Sequence, residues 1–400
     1  MDGSPRRGRA GDRVSRIPTP VWALLPIVLL AVLGVALVRG GLLDVLRGGA
    51  PPVEALTFER VTLAPDLIRV ELVNGGPDPV TVAQVMVDEA FWTFTSRAGT
   101  TIPRLGRTTI EIPYPWVEHE AHVVTVLTST GLTFTHEIAV ARATPTPDAR
   151  YFGVFTLIGL YVGVIPVAIG LLWYPLLRRL ERRWLHFVLA LTAGLLIFLG
   201  ADALHEALEA AERVAGAYQG VLLVLVGALG AVLLLQAAAG RRVGAEGPAG
   251  RRAVAWLIAL GIGLHNLGEG LAIGAAYAVG EAALGAFLIV GFMVHNSTEG
   301  LGIVAPVAND RPGLATLAGL GALAGLPTIA GAWIGGLAYS ATLATLFLSV
   351  GAGAIAQVVV ALYRVVARDT RDRPVWTPLT AGGLLTGLLV MYGTGLLVAG

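Results

Sequence analysis

Nine apolar runs constrain this chain more than any other feature of its sequence. The first extends from Val21 to Val38. Eight more follow, at about Tyr151–Leu176, Trp184–Ala203, Ala217–Ala237, Arg252–Val279, Glu281–Val307, Gly313–Ala338, Ala341–Val365 and Trp376–Ala399. About 20 apolar residues span the hydrocarbon core of a bilayer as a helix. Only 14% of the 400 residues are charged, against about 25% in soluble proteins, so most of the chain is solvated by lipid. The net charge of +1 offers no electrostatic case for nucleic acid as a partner. Cysteine is absent, which excludes disulfides, thiolate zinc sites and blue-copper ligation.

Arginine placement orients these runs. Arg6, Arg7, Arg9, Arg13 and Arg16 precede the first run, the pattern of a signal peptide or an uncleaved signal anchor. The run is long for a signal peptide and no small-x-small site follows, which favours the anchor. Arg178, Arg179, Arg182 and Arg183 separate the first two of the later eight runs. Arg241, Arg242, Arg251 and Arg252 separate the third and fourth, Arg311 the fifth and sixth, and Arg368, Arg371 and Arg373 precede the eighth. The intervening connections hold almost none. By the positive-inside rule the N-terminus is cytoplasmic, and the C-terminus lies outside a cell (inner) membrane crossed many times.

Between the anchor and the eight runs the period changes to two. Ile68-Arg69-Val70-Glu71-Leu72, Thr81–Val87 and Val123–Leu127 alternate like half-buried strands. Asn74-Gly75-Gly76-Pro77-Asp78, Arg97-Ala98-Gly99 and Thr130-Gly131 supply turns. Roughly seven short strands predict a small immunoglobulin-like β-sandwich outside the membrane. The expected plan is therefore a membrane all-α protein with four parts: a basic cytoplasmic tail (1–20), a transmembrane signal anchor (21–40), an extracytoplasmic β-sandwich (52–144) and an eight-helix bundle (150–400).

Two related hexapeptides sit inside the fourth and fifth of the eight runs: His265-Asn266-Leu267-Gly268-Glu269-Gly270 and His295-Asn296-Ser297-Thr298-Glu299-Gly300. Each puts a His and a Glu at i and i+4, on one helix face. Ionisable groups at membrane depth are costly and mark functional sites by default. A short connection near Gly280 predicts an antiparallel hairpin, in which His265, Glu269, His295 and Glu299 can converge as a divalent-metal site. Asn266 and Asn296, turned about 100° from the histidines, offer carbonyl oxygens on an adjoining surface. The alternative, hydrogen-bonded glue between two helices, fits poorly with burying two carboxylates.

On these motifs the chain resembles the ZIP family of divalent-metal transporters, closest to its bacterial zinc-uptake branches. The resemblance covers residues 151–400. It is supported by Gly200-Ala201-Asp202-Ala203-Leu204-His205 and by Gly351-Ala352-Gly353-Ala354-Ile355. It implies zinc uptake into the cytoplasm, a homodimer, and a transport site made of His265, Asn266, Glu269, His295, Asn296 and Glu299. In this reading the metal is cargo rather than cofactor, and the protein is not an enzyme. Three departures stand out. Leu326 precedes Pro327, where many relatives have an acidic residue. The 241–252 loop has no histidine. The anchor and β-domain are additions to the family's plan.

Asp202, His205, Glu206 and Glu209 form either an acidic entrance that attracts cations or a solvated helix end. Equivalent residues near the family's metal entrance favour the first. Glu118-His119-Glu120-Ala121-His122 is read as a solvated strand start, because His119 and His122 face opposite ways on a strand. His136 and His186 are read as lone structural histidines. Gln357 is either packing glue or path lining. Two rival functions use the same residues: an intramembrane zinc hydrolase, and a metal sensor whose β-domain binds a partner.

Overall fold

The structure is a computed structural model that describes residues 19–39, 53–244, 247–278, 282–338, 340–370 and 374–399. Contacts divide the chain into Met1–Val53 and Glu54–Gly400. In the first unit, α1 spans Thr19–Arg39. Every residue from Leu24 to Leu37 is exposed, so the helix is apolar on all sides, as suits a lipid environment. The basic tail at Arg6 to Arg16 lies outside the described residues, as do the Gly280 connection and Arg371 and Arg373.

The second unit begins with nine strands: β1 (Leu56–Ala64), β2 (Leu67–Asn74), β3 (Val80–Val87), β4 (Ala90–Trp92), β5 (Thr95–Ser96), β6 (Thr101–Ile102), β7 (Arg107–Ile112), β8 (His122–Thr128) and β9 (Thr133–Ile138). One sheet has the order β1-β2-β7-β5. The other has β4-β3-β8-β9, with β6 also paired to β3. Period-two alternation makes the core: Ile68, Val70 and Leu72 of β2 are fully buried and pack with Val85, Ile110, Ile112 and Val124, while Arg69 and Glu71 face outward and are only half-buried. Asp88 and Glu89, both at positive φ (51° and 66°), close the β3–β4 hairpin as a two-residue turn. The buried Asn74 side chain ties the next loop by donating to the carbonyls of Asp78 (2.7 Å) and Ile102 (3.0 Å).

Two of the β-domain histidines have structural surroundings. His122 Nδ1 lies 2.7 Å from Asp88 Oδ2, and its Nε2 accepts from the Val117 amide at 3.3 Å. Asp88 also accepts from the Val123 amide and the Tyr114 hydroxyl. Burial opposes ionisation of Asp88, but these hydrogen bonds outweigh it and hold its carboxyl below the ordinary value. Burial and Asp88 together push Tyr114 up to about 12. His136 stacks on Phe58 with ring centroids 5.2 Å apart. Burial and nearby Arg213 hold its imidazole below the ordinary value.

His136 therefore makes stability pH-dependent. As pH falls through about 6.5 the unfolded chain takes up a proton that the folded one refuses, so folding weakens. The melting temperature should drop between pH 7.5 and 5.5, and His136→Gln should shrink that drop. An unchanged drop in the variant would rule His136 out as its source.

Helices make up the rest: α2 (Ala149–Gly159), a π-helical turn (Leu160–Val164), α3 (Ile165–Leu171), α4 (Tyr174–Leu177), α5 (Arg182–Glu212), α6 (Gly220–Gly244), α7 (Gly247–Ala278), α8 (Ala282–Val304), α9 (Leu314–Ala338), α10 (Ala341–Thr370) and α11 (Pro378–Ala399). Among the described residues, six segments are long and apolar enough to cross a membrane: Ala149–Leu177, Arg182–Glu212, Gly216–Gly240, Gly247–Tyr277, Leu314–Leu337 and Ala341–Thr370. The chain is thus mostly helical with a small β region, and it has the character of a multi-pass membrane protein. α5 runs past Ala203, where the apolar run ends, to Glu212. His205, Glu206 and Glu209 are consequently helical.

The β-domain abuts one end of this bundle. A Cβ on Gly75 would lie 3.3 Å from the Gly216 backbone nitrogen, and Arg107 hydrogen-bonds Tyr218. Asp148 caps α2 by accepting from the Tyr151 amide at 2.7 Å. Inside the bundle, Gln357 donates to Gln236 Oε1 at 2.6 Å and joins α10 to α6. Gln357 is therefore glue between helices.

Candidate metal centre

α7 and α8 carry the two hexapeptides and bring three ligand-type side chains together. Glu269 Oε1 is 3.1 Å from His265 Nε2 and 2.5 Å from His295 Nε2. One ligand atom from each lies within 4.8 Å of the others. All three residues are buried, Glu269 to 4% exposure. Two imidazoles and a carboxylate facing one point form a donor set suited to a divalent transition metal.

Glu299 does not join this cluster. It is buried, and neither carboxylate oxygen has a hydrogen-bond partner. Each helix carries its Glu one turn beyond its His, about 6 Å along the axis. In an antiparallel pair those turns run in opposite directions. Glu269 therefore comes level with His295 and Glu299 with the His265 end of the pair, yet only Glu269 turns its carboxylate between the two imidazoles.

The asparagines act around the cluster. Asn296 Nδ2 donates to Glu269 Oε2 at 2.9 Å and to the Val162 carbonyl at 3.0 Å. Asn266 Nδ2 donates to the Ala324 carbonyl at 3.1 Å. Such outer contacts fix the orientation of a ligating carboxylate. Val162 belongs to the π-helical turn, and wide turns of this kind recur at functional sites. With their amides committed, Asn266 and Asn296 each keep a buried Oδ1 without a partner. Those two oxygens and both of Glu299's are four of the seven buried side-chain atoms lacking a partner among the described residues. Buried polar atoms are normally satisfied, so this concentration of bare acceptors next to two imidazoles is what a cation would satisfy.

Cavities flank the cluster along one face of α5. Leu199, Asp202, Ala203 and Glu206 line a cavity of about 20 Å³ with His265 and Glu269. Thr192, Leu195, Leu196 and Leu199 line another of about 10 Å³ with His295, Thr298 and Glu299. Further along, Arg182, Leu185, His186 and Leu189 line one of about 640 Å³. This last lies at the arginine-rich end, where His186 meets Asp369 Oδ2 at 2.7 Å. Of the acidic entrance set, Asp202 and Glu206 face the cluster. His205 and Glu209 pair with each other at 3.2 Å, exposed and away from the cavity.

Several contributors carry no sequence signal. Phe292 packs against His295 with centroids 5.5 Å apart. Gly351, by contrast, belongs to the Gly351–Ile355 stretch that the sequence does mark, and a Cβ on it would lie 3.5 Å from His265 Nδ1. The Val162 carbonyl is backbone, visible to no residue pattern. Thr192 is a single hydroxyl in an apolar helix, and periodicity gives no reason to single it out.

No protein-family model and no curated protein matches this chain.

Proposed function

We propose that the protein transports a divalent metal cation, zinc, across the membrane into the cytoplasm, as a ZIP-type transporter. The observation that carries this reading is the buried His265–Glu269–His295 cluster with unpartnered carboxylate and amide oxygens beside it. Its position between cavities on one helix face fits a path through the bundle. In this reading all eight core segments span the bilayer and the arginine-rich end is cytoplasmic. The cation approaches past Asp202 and Glu206, exchanges its water for His265, Glu269 and His295, and leaves past Glu299 towards the wide cavity. Alternating access supplies the opening and closing. The resemblance to ZIP transporters adds the expectation of a homodimer.

A catalytic zinc can use the same two-histidine, one-carboxylate set with an open position for water. The adjoining cavities of about 20 and 10 Å³ have room for little more than a water each, too little for a hydrolase substrate. Radiolabelled zinc uptake into proteoliposomes tests the proposal. Saturable uptake exceeding one metal per protein supports transport. Stoichiometric binding without uptake would move the function to sensing.

A further inference from the structure

A second charged cavity, of about 170 Å³, lies where the β-domain meets the bundle, apart from the metal centre. Glu59 and Arg60 of β1, His136 of β9, Thr144 after the strands and Arg213 at the end of α5 line it. Consecutive strand residues ordinarily point to opposite faces. Glu59 and Arg60 reach one cavity because the β1–β2 register shifts between Phe58 and Arg60. Bulges re-aim side chains in this way, often at functional sites.

The charges around this cavity do not balance. Glu59 is buried and has Arg107 at 3.9 Å as its cation, and Arg107 is also held by Tyr218. Arg60 and Arg213 have no carboxylate partner among the described residues. Two guanidiniums thus line a cavity open to solvent at Arg213, together with an imidazole, and Arg213 already disfavours a proton on that ring. The volume is far above the roughly 15 Å³ that holds one water. Guanidiniums are the side chains best shaped for bidentate binding of phosphate and carboxylate.

We propose that this cavity binds a small oxyanion carrying two or more negative charges, clamped between Arg60 of the β-domain and Arg213 of the bundle. His136 donates a further hydrogen bond to it. The ligand joins the two parts of the second unit at the outer end of α5. It neutralises like charges that otherwise repel across their junction.

Calorimetric titration of the purified full-length protein, with inorganic phosphate and separately with citrate at constant ionic strength, tests this. One equivalent should bind per chain. Arg60→Gln and Arg213→Gln should each weaken binding at least about tenfold, as expected for loss of one bidentate charged contact. Arg104→Gln, on an exposed β-domain loop, should leave it unchanged. Tighter phosphate binding would assign a phosphate ligand, and tighter citrate binding a polycarboxylate. Arg60→Lys and Arg213→Lys keep the charge without the fork and should bind with intermediate strength, which covers the case of a poorly folded Gln variant. Failure of both anions to bind wild type, or equal binding by wild type and both Gln variants, would overturn the proposal. Neither result bears on the metal centre.

Discussion

Glu269→Gln is expected to lower zinc affinity at least about 100-fold and to abolish uptake, in a protein that still folds. Losing an outer-shell partner of a metal ligand already costs about 10–100-fold. Glu269 is more than that, because one of its oxygens meets both histidines at 3.1 and 2.5 Å. Glutamine keeps the size of the side chain and can still accept from Asn296, so lost function would report lost charge and ligation. Glu299→Gln should do less to the first equivalent bound, because Glu299 stands outside the three-residue cluster. Equal losses in the two variants would mean that all four side chains hold the metal together. Near-wild-type zinc binding by Glu269→Gln would sink the metal-site assignment.

The second large effect falls on packing. A Cβ on Gly300 would sit 2.2 Å from the Val167 carbonyl oxygen and 2.9 Å from Gly170 Cα. Glycine to alanine in a helix otherwise gains up to about 1 kcal/mol. Overpacking a close contact costs about 1–3 kcal/mol, and here the obstacle is backbone, which has no rotamer to escape into. The clash should win. Gly300→Ala is expected to lower the melting temperature by several degrees or to prevent folding. Gly230→Ala on α6, with nothing within 4 Å of its Cβ, should be neutral or slightly stabilising. A Gly300→Ala protein as stable as wild type would show that α3 and α8 can move apart at no cost. Small residues that let helices approach are a general feature of membrane bundles.

Much of this architecture is legible in the residues themselves. Apolar length gives helices, a two-residue period gives strands such as β2, and polar hexapeptides inside apolar runs point to the site. The parts that are not legible depend on how elements meet. Period and spacing put four side chains near one another, but which of them touch depends on helix crossing and axial offset. Only the meeting of the two helices shows that Glu269 enters the cluster with His265 and His295 and Glu299 does not. The π-helical turn at Leu160–Val164 arises inside a featureless apolar run, and its Val162 carbonyl matters only because Asn296 arrives from another helix. Glu59 and Arg60 look like ordinary alternating strand residues, and only the register shift against β2 turns both to one cavity. His136 reads as a lone histidine until Arg213, far along the chain, is placed beside it.

The 31 residues of α5 make a rod about 46 Å long at 1.5 Å per residue. The same rod borders all three cavities around the metal cluster and ends at Arg213 beneath the β-domain. Mechanically it can act as a lever: a tilt at its Arg213 end would carry the residues that line those cavities. An antibody fragment that grips the β-domain and steadies Arg213 would therefore act as a brake on the proposed path without entering it.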